Sequence, residues 1–176
     1  SYQLHEVAAL YALDHLSLRN NKLTDISALS TLGGLDELDL SGNQIRNVDA
    51  LTEIRGLRSL NLSGNPIADC SYLSELTNLS VLNLTGTEVS EDSVAVLAEA
   101  LPQCAIRVTT DDEEEILYGN RRFRADATEL QLHETGLREI GALEEFTEVR
   151  VLDLSNNEIG DLRPLMRLSR LESLNS

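Results

Sequence analysis

The chain has 176 residues, 30 of them acidic and 14 basic, for a formal net charge of −16. So acidic a surface repels phosphate backbones and anionic bilayers, which argues against nucleic acid and lipid headgroups as partners; it allows a basic protein partner, and solubility alone explains it just as well. Hydrophobic residues make up 41 %, with no Trp and two Phe, so the core must be assembled from Leu, Val, Ile and Ala in regular layers. No apolar run is long enough to span a bilayer, and two cysteines without a CxxC spacing make no disulfide framework.

The first three units run from Leu13 to Leu32, Leu35 to Ile54 and Leu57 to Leu76, and a fourth opens at Leu79; Leu16, Leu38, Leu60 and Leu82 are each 22 residues apart. Each unit carries one stretch of period two, such as Leu38 and Leu40, which predicts a short strand with its leucines inside and Asp39 and Ser41 outside. Asn21, Asn43, Asn65 and Asn157 share one register in the following turn. A buried Asn there satisfies backbone groups of its own loop and of the next coil. The second half of each unit, as in Ile26, Leu29 and Leu32, spaces apolar residues three apart and predicts a 3₁₀ or α turn on the opposite, convex side.

The pattern LxxLxLxxNxIxDIxxLxxL, repeated at this spacing, resembles the leucine-rich repeat family. It resembles the 22-residue class found in internalins and in the leucine-rich regulatory subunit of phosphatase-1. The resemblance covers nearly the whole chain except one interruption, and it implies an α/β solenoid with one curved parallel sheet of about eight short strands. It also implies a protein-binding role, with the concave sheet face as the default docking side. Thr87 and Thr135 stand where Asn is usual, and Cys70 where Ile or Val is usual.

Further along, Ser93–Ala100 has the apolar spacing of an α-helix, capped by Ser90 or Asp92. Leu101–Ile106 returns to the repeat phase with Cys104 in the place of Leu82. The phase then slips, and Leu130, Leu152 and Leu174 resume the 22-residue step. The slip lies in the segment from Thr109 to Thr128. There Gly119-Asn120 predicts a two-residue turn that sets Ile116 opposite Phe123 and Glu115 opposite Arg124, a small hairpin or flap. The expected organisation is a first repeat block over 1–108, a flap over 109–127 and a second block over 128–176. This helix, flap and fresh repeat resemble the blocks of bacterial surface proteins, which implies an extracellular or cell-surface location; a cytoplasmic scaffold or regulatory subunit and a structural spacer are the alternatives. The start without Met and the end inside an uncapped repeat lead to the expectation of a piece of a longer protein.

No arrangement of Ser, His and Asp places a base beside a nucleophile, so no enzyme activity is expected, and no cofactor or metal. His5, His15 and His133 are too scattered for a zinc site. Cys70 and Cys104 read as buried apolar residues. The outward lanes of the strands hold the candidate partner-binding residues: Arg19, Asp39, Asn61, Asn83, Arg107, His133 and Asp153. The central lane runs through Ser17, Asp39, Asn61, Asn83, Ala105, Gln131, Asp153 and Asn175, with Arg107 and His133 in the lane beside it. The run Asp111, Asp112, Glu113, Glu114 and Glu115 forms the acidic margin of this surface. It reads first as a solvated loop neutralised by Arg121, Arg122 and Arg124, and otherwise as a grip for a basic protein segment or a hard cation. Leu38, Leu60, Leu82, Cys104, Leu130 and Leu152 are expected to form one interior ladder.

Overall fold

Six of the strands hand the chain to a turn through a residue in the left-handed region: Asn20 (φ 56°), Gly42 (68°), Gly64 (67°), Gly86 (66°), Glu134 (56°) and Asn156 (58°). This sharp exit lets every coil leave the sheet at the same height and stack on the next. At Gly42 the crowding adds to the torsion, because a Cβ there would lie 2.3 Å from the Asn20 side-chain oxygen. The computed structural model describes residues 13–110 and 113–176, so His5, Asp111 and Asp112 lie outside the described residues.

The strands of the first sheet are β1 (His15–Ser17), β2 (Glu37–Asp39), β3 (Ser59–Asn61), β4 (Val81–Asn83), β5 (Ala105–Thr110), β6 (Glu113–Tyr118) and β7 (Arg121–Arg124), in that spatial order. β1 to β5 are parallel, whereas β5–β6 and β6–β7 are antiparallel. A second parallel sheet holds β8 (Glu129–Gln131), β9 (Val151–Asp153) and β10 (Ser173–Asn175). On the convex side lie five 3₁₀ turns, η1 (Ser27–Thr31), η2 (Asp49–Glu53), η3 (Ser71–Glu75), η4 (Gly141–Glu145) and η5 (Arg163–Arg167). The one longer element among the described residues is helix α1 (Glu91–Ala100), whose Ser90 cap accepts a hydrogen bond from the Ser93 N–H. The expected α/β solenoid is therefore present, with its hairpin in the expected register: Ile116 faces Phe123 and Glu115 faces Arg124.

The asparagine ladder stitches the coils. Asn65 Oδ1 accepts from Ile45 N at 3.1 Å, and its amide donates to Leu40 O and Leu62 O at 2.9 and 3.0 Å. Asn43 and Asn157 repeat this arrangement. Asn21 does not: it is exposed and holds its own coil alone, through Leu18 O. Thr87 and Thr135 take the Asn position by donating a hydroxyl to the carbonyl three residues back.

Three expectations need correction. The strand partner of Leu82 is Ile106, not Cys104, because β5 pairs Val81 with Ala105 and Asn83 with Arg107. A two-residue shift keeps the inside–outside alternation, so it leaves no trace in hydrophobic periodicity. Cys104 is still buried, packed beneath α1 with the first core. The interior ladder is also not continuous. Leu38, Leu60, Leu82 and Ile106 belong to one core, and Leu130, Leu152 and their neighbours to another. The single sheet of about eight strands is consequently two sheets.

The second core explains how the chain changes direction. It contains Ala105, Ile116 and Tyr118 with Leu130, Leu132, Leu143 and Phe146, while Ile106, Val108 and Leu117 on the opposite face belong to the first core. Alternate residues of β5 and β6 thus feed different cores. Phe123 meets the Phe146 ring edge-on, centroids 5.8 Å apart, from the same side as Ile116. The second block therefore packs on the continuation of the concave face, at β5 to β7, and the open concave surface stops at β4.

Candidate interaction surface

On β2 to β4 the outward central residues are tied down by their own strands. Asp39 Oδ1 accepts from Ser41 N and Ser41 Oγ at 3.0 and 2.6 Å. Asn61 does the same with Ser63 at 3.0 and 2.7 Å, and Asn83 with Thr85 at 3.0 and 2.8 Å. Asp153 repeats the motif with Ser155 in the second sheet, and these two bonds hold its carboxyl below the usual range. The small polar residue two places after each Asx is thus a clamp that fixes the outward side chain in one rotamer. Sequence reasoning places these side chains outside but misses the clamp, whose signal is the recurring Asp/Asn-x-Ser/Thr.

Arg107 moves from the side lane to the central one, next to Asn83, and Ala105 leaves the surface because it is fully buried. The Arg107 guanidinium is itself engaged, with Glu114 at 2.7 Å and Glu145 at 3.0 Å. Its place on the concave face is filled by a contact between the two blocks. Arg19 is exposed at the end of β1. His133 and Asp153 lie together on the second block, 3.9 Å between Nδ1 and Oδ2, on a different sheet from Asp39, Asn61 and Asn83.

Glu113, Glu114 and Glu115 are not in a solvated loop. They form the first half of β6, and each has a cation: Arg124 at 3.3 Å from Glu113, Arg107 at 2.7 Å from Glu114 and Arg122 at 3.1 Å from Glu115. This part of the acidic run is neutralised inside the chain. Arg121 takes a different role and donates to the backbone carbonyls of Gln131, at the end of β8, and of His133 just after it.

Between the blocks runs a groove of ≈ 470 Å³. One wall is the start of β2 to β4, with Asp36, Glu37, Arg58, Ser59 and Val81. The other is formed by η4 and η5, with Glu144, Arg163, Pro164 and Arg167. Arg163 and Arg167 are paired within their own wall, to Asp161 and Glu144. A second depression, ≈ 530 Å³, covers His15, Ser17, Glu37, Asp39, Ser59 and Asn61 on the same concave face. His15 sits there between Asp14 at 2.8 Å and Glu37 at 3.5 Å, and those carboxylates raise its pKa above the ordinary histidine value.

The thiols are buried: Cys104 is pushed up to about 12 by desolvation, and Cys70 is raised by the same cause. Among the described residues no cluster of three His, Cys, Asp or Glu side chains is arranged to hold a metal ion, and no helix is long and apolar enough to cross a membrane.

Sequence models of leucine-rich repeats match residues 12–53, as two copies, and residues 56–69 and 147–162. No curated protein matches the chain in sequence. Among solved structures, an internalin (inlF) from Listeria monocytogenes is 26% identical with a TM-score of 0.55 over 97% of this chain. The chain spans 49% of the length of that internalin. Internalin C2 (inlC2) of the same species has a TM-score of 0.55 at 23% identity, with 95% of this chain and 82% of that one covered, and so speaks for the fold alone. The matched segments are leucine-rich repeats, and the chain as a whole is an α/β solenoid with structural similarity to bacterial internalins.

Proposed function

We propose that this chain is a protein-binding module of a larger bacterial surface or secreted protein, with its partner held on the concave face of β1 to β4. The observation that carries this reading is the clamped row of Asp39, Asn61 and Asn83 beside the groove between the blocks. Side chains already fixed in one rotamer lose little entropy on binding, which is the advantage a stiff solenoid face offers a large partner. The likeness to internalins supports the surface or secreted setting.

The partner is a protein that brings basic side chains toward Asp36, Glu37 and Asp39. Arg19 lies at one margin. The acidic run contributes less steering than its charge suggests, since Glu113, Glu114 and Glu115 are already paired. His133 and Asp153, on the second block, serve a separate contact of the same partner. The function is recognition, not catalysis.

A structural spacer is the second reading, and the same clamps favour it, because side chains bonded to their own strand also keep an idle sheet soluble. Charge reversal separates the two. A partner selected on the wild-type chain is measured against Glu37→Arg, Asp39→Arg, Asp153→Arg and the convex control Glu53→Arg. We expect the two concave variants of the first block to lose about tenfold or more in affinity, mostly through slower association that also weakens with salt. Unchanged affinity in both, with the fold intact, would leave the spacer reading standing.

A further inference from the structure

Inside each block the carbonyls of one strand accept hydrogen bonds from the backbone of the preceding coil. Asp39 O and Ser41 O receive Leu18 N and Asn20 N, both at 2.8 Å, and Asn61 O and Ser63 O receive Leu40 N and Gly42 N, both at 2.9 Å. Asn83 O and Thr85 O are met by Leu62 N and Gly64 N, and Asp153 O and Ser155 O by Leu132 N and Glu134 N. Strand β8 opens the second block, so no coil of that block precedes it. Its equivalent carbonyls are Gln131 O and His133 O. One side chain serves both: Arg121 Nη1 donates to Gln131 O, and Arg121 Nη2 donates to His133 O at 3.0 Å.

Two more side chains complete the substitution. The Gln103 amide accepts from Arg138 N and Glu139 N at 3.0 and 3.3 Å and donates to Gly136 O at 3.2 Å. The Tyr118 hydroxyl donates to Glu139 O at 3.1 Å from a ring buried in the second core. The hairpin turn closes the seam, where a Cβ on Gly119 would stand 3.1 Å from Leu132 Cδ2 and 3.2 Å from Thr135 Cβ.

We propose that Arg121, Gln103 and Tyr118 act together as a surrogate coil, a side-chain template on which the second block starts and which fixes its angle across the concave face. The physical case rests on where the β8 carbonyls find their donors. A β edge with unanswered acceptors under a packed hairpin would be costly, and the two outer nitrogens of a guanidinium fork can each answer one of two carbonyls on the same edge. Side chains, unlike a strand, impose neither the pitch nor the direction of the preceding sheet. The second block is thereby released from the solenoid axis and set with η4 and η5 against the groove. This template does not depend on the protein-binding reading.

The test uses the full chain with spin labels at Glu53→Cys and Met166→Cys, two exposed sites on different blocks, and with native amide exchange. Arg121→Met keeps the aliphatic stem and removes the donors; Arg121→Lys keeps one donor centre. The wild type should give one narrow distance distribution, Arg121→Lys a broader one, and Arg121→Met the broadest. Gln103→Leu should speed exchange at Arg138 and Glu139 by about tenfold, as expected for loss of one hydrogen-bond acceptor, and leave β2 to β4 unchanged. The template is overturned if Arg121→Met and Gln103→Leu keep the wild-type distances and exchange, or if protection is lost evenly over both blocks.

Discussion

Arg107 of β5 and Glu145 of η4 stand 3.0 Å apart, an ion pair that ties the concave lane of the first block to the convex turn of the second. Both side chains are 23% exposed, and Arg107 also holds Glu114. Replacing Arg107 with Ala strands the Glu145 carboxylate at a partly dry seam and takes the partner from the more exposed Glu114. We expect a loss of about 1–3 kcal/mol in unfolding free energy, checked by urea titration. Glu145→Gln, which keeps the shape and one acceptor, should cost clearly less. Equal losses would mean that packing, not charge, holds the seam.

Leu60 is 1% exposed between two neighbouring coils, whereas Leu174, in the equivalent position of the last coil, is 41% exposed. Leu60→Ala should therefore cost about 2–5 kcal/mol through the cavity it leaves, and Leu174→Ala a small fraction of that. Denaturant midpoints of the two variants read this directly. A Leu60→Ala cost well under about 1 kcal/mol would contradict the burial.

The asparagine ladder makes a similar contrast. Asn65 is buried and bonds to two coils, while Asn21 is exposed and bonds to its own. Asn65→Ala takes the side-chain partner from Ile45 N and Leu62 O, while Leu40 O keeps Asn43, and should cost about 3 kcal/mol, with Asn21→Ala within about 0.5 kcal/mol of wild type. Thermal melts of both are the check.

Glu134 holds a φ of 56° at the position where three earlier coils use glycine. A side chain in the left-handed region costs about 1–2 kcal/mol, partly offset by the chain freedom that glycine restores to the unfolded state. Glu134→Gly should thus stabilise by a few tenths to about 1 kcal/mol, seen as a higher melting temperature. A lower one would show that the Glu134 side chain makes a contact that outweighs the strain.

Much of the fold is legible from the chain alone, for physical reasons. The 22-residue step of Leu16, Leu38, Leu60 and Leu82 demands stacked coils, and Gly119-Asn120 fixes the hairpin register because a two-residue turn admits one pairing. The angle between blocks is not legible. Periodicity says which residues stack inside a block, but an interruption carries no period. Cys104 reads as Leu82's partner because an even shift preserves alternation, although Ile106 and Val108 form the better inward pair. The hairpin carries one further signal: Ile116, Tyr118 and Phe123 make one apolar face, and such a face requires something to cover it. The Arg121 bonds have no sequence signal, since an arginine so near an acidic run reads first as a counter-charge to it.

Both thiols are predicted to be inert in the folded chain. Cys104 is pushed up to about 12 by burial and Cys70 is raised for the same reason, so neither supplies thiolate near neutral pH. A maleimide at pH 7 should label neither in the native protein and both after denaturation. Fast labelling of native Cys104 would show that the packing beneath α1 opens readily.

The central claim is that a protein partner is held on the concave face of the first block. Photo-reactive residues placed at Arg19 and Glu37, and at Glu53 and Glu75 on the convex side, test it even when the partner's identity is open. Exposure to candidate target surfaces followed by illumination should give one discrete protein adduct from Arg19 and Glu37, weakened by added salt, and none from Glu53 or Glu75. Adducts from the convex positions alone, or none from any position on a surface the wild-type chain binds, would contradict the account.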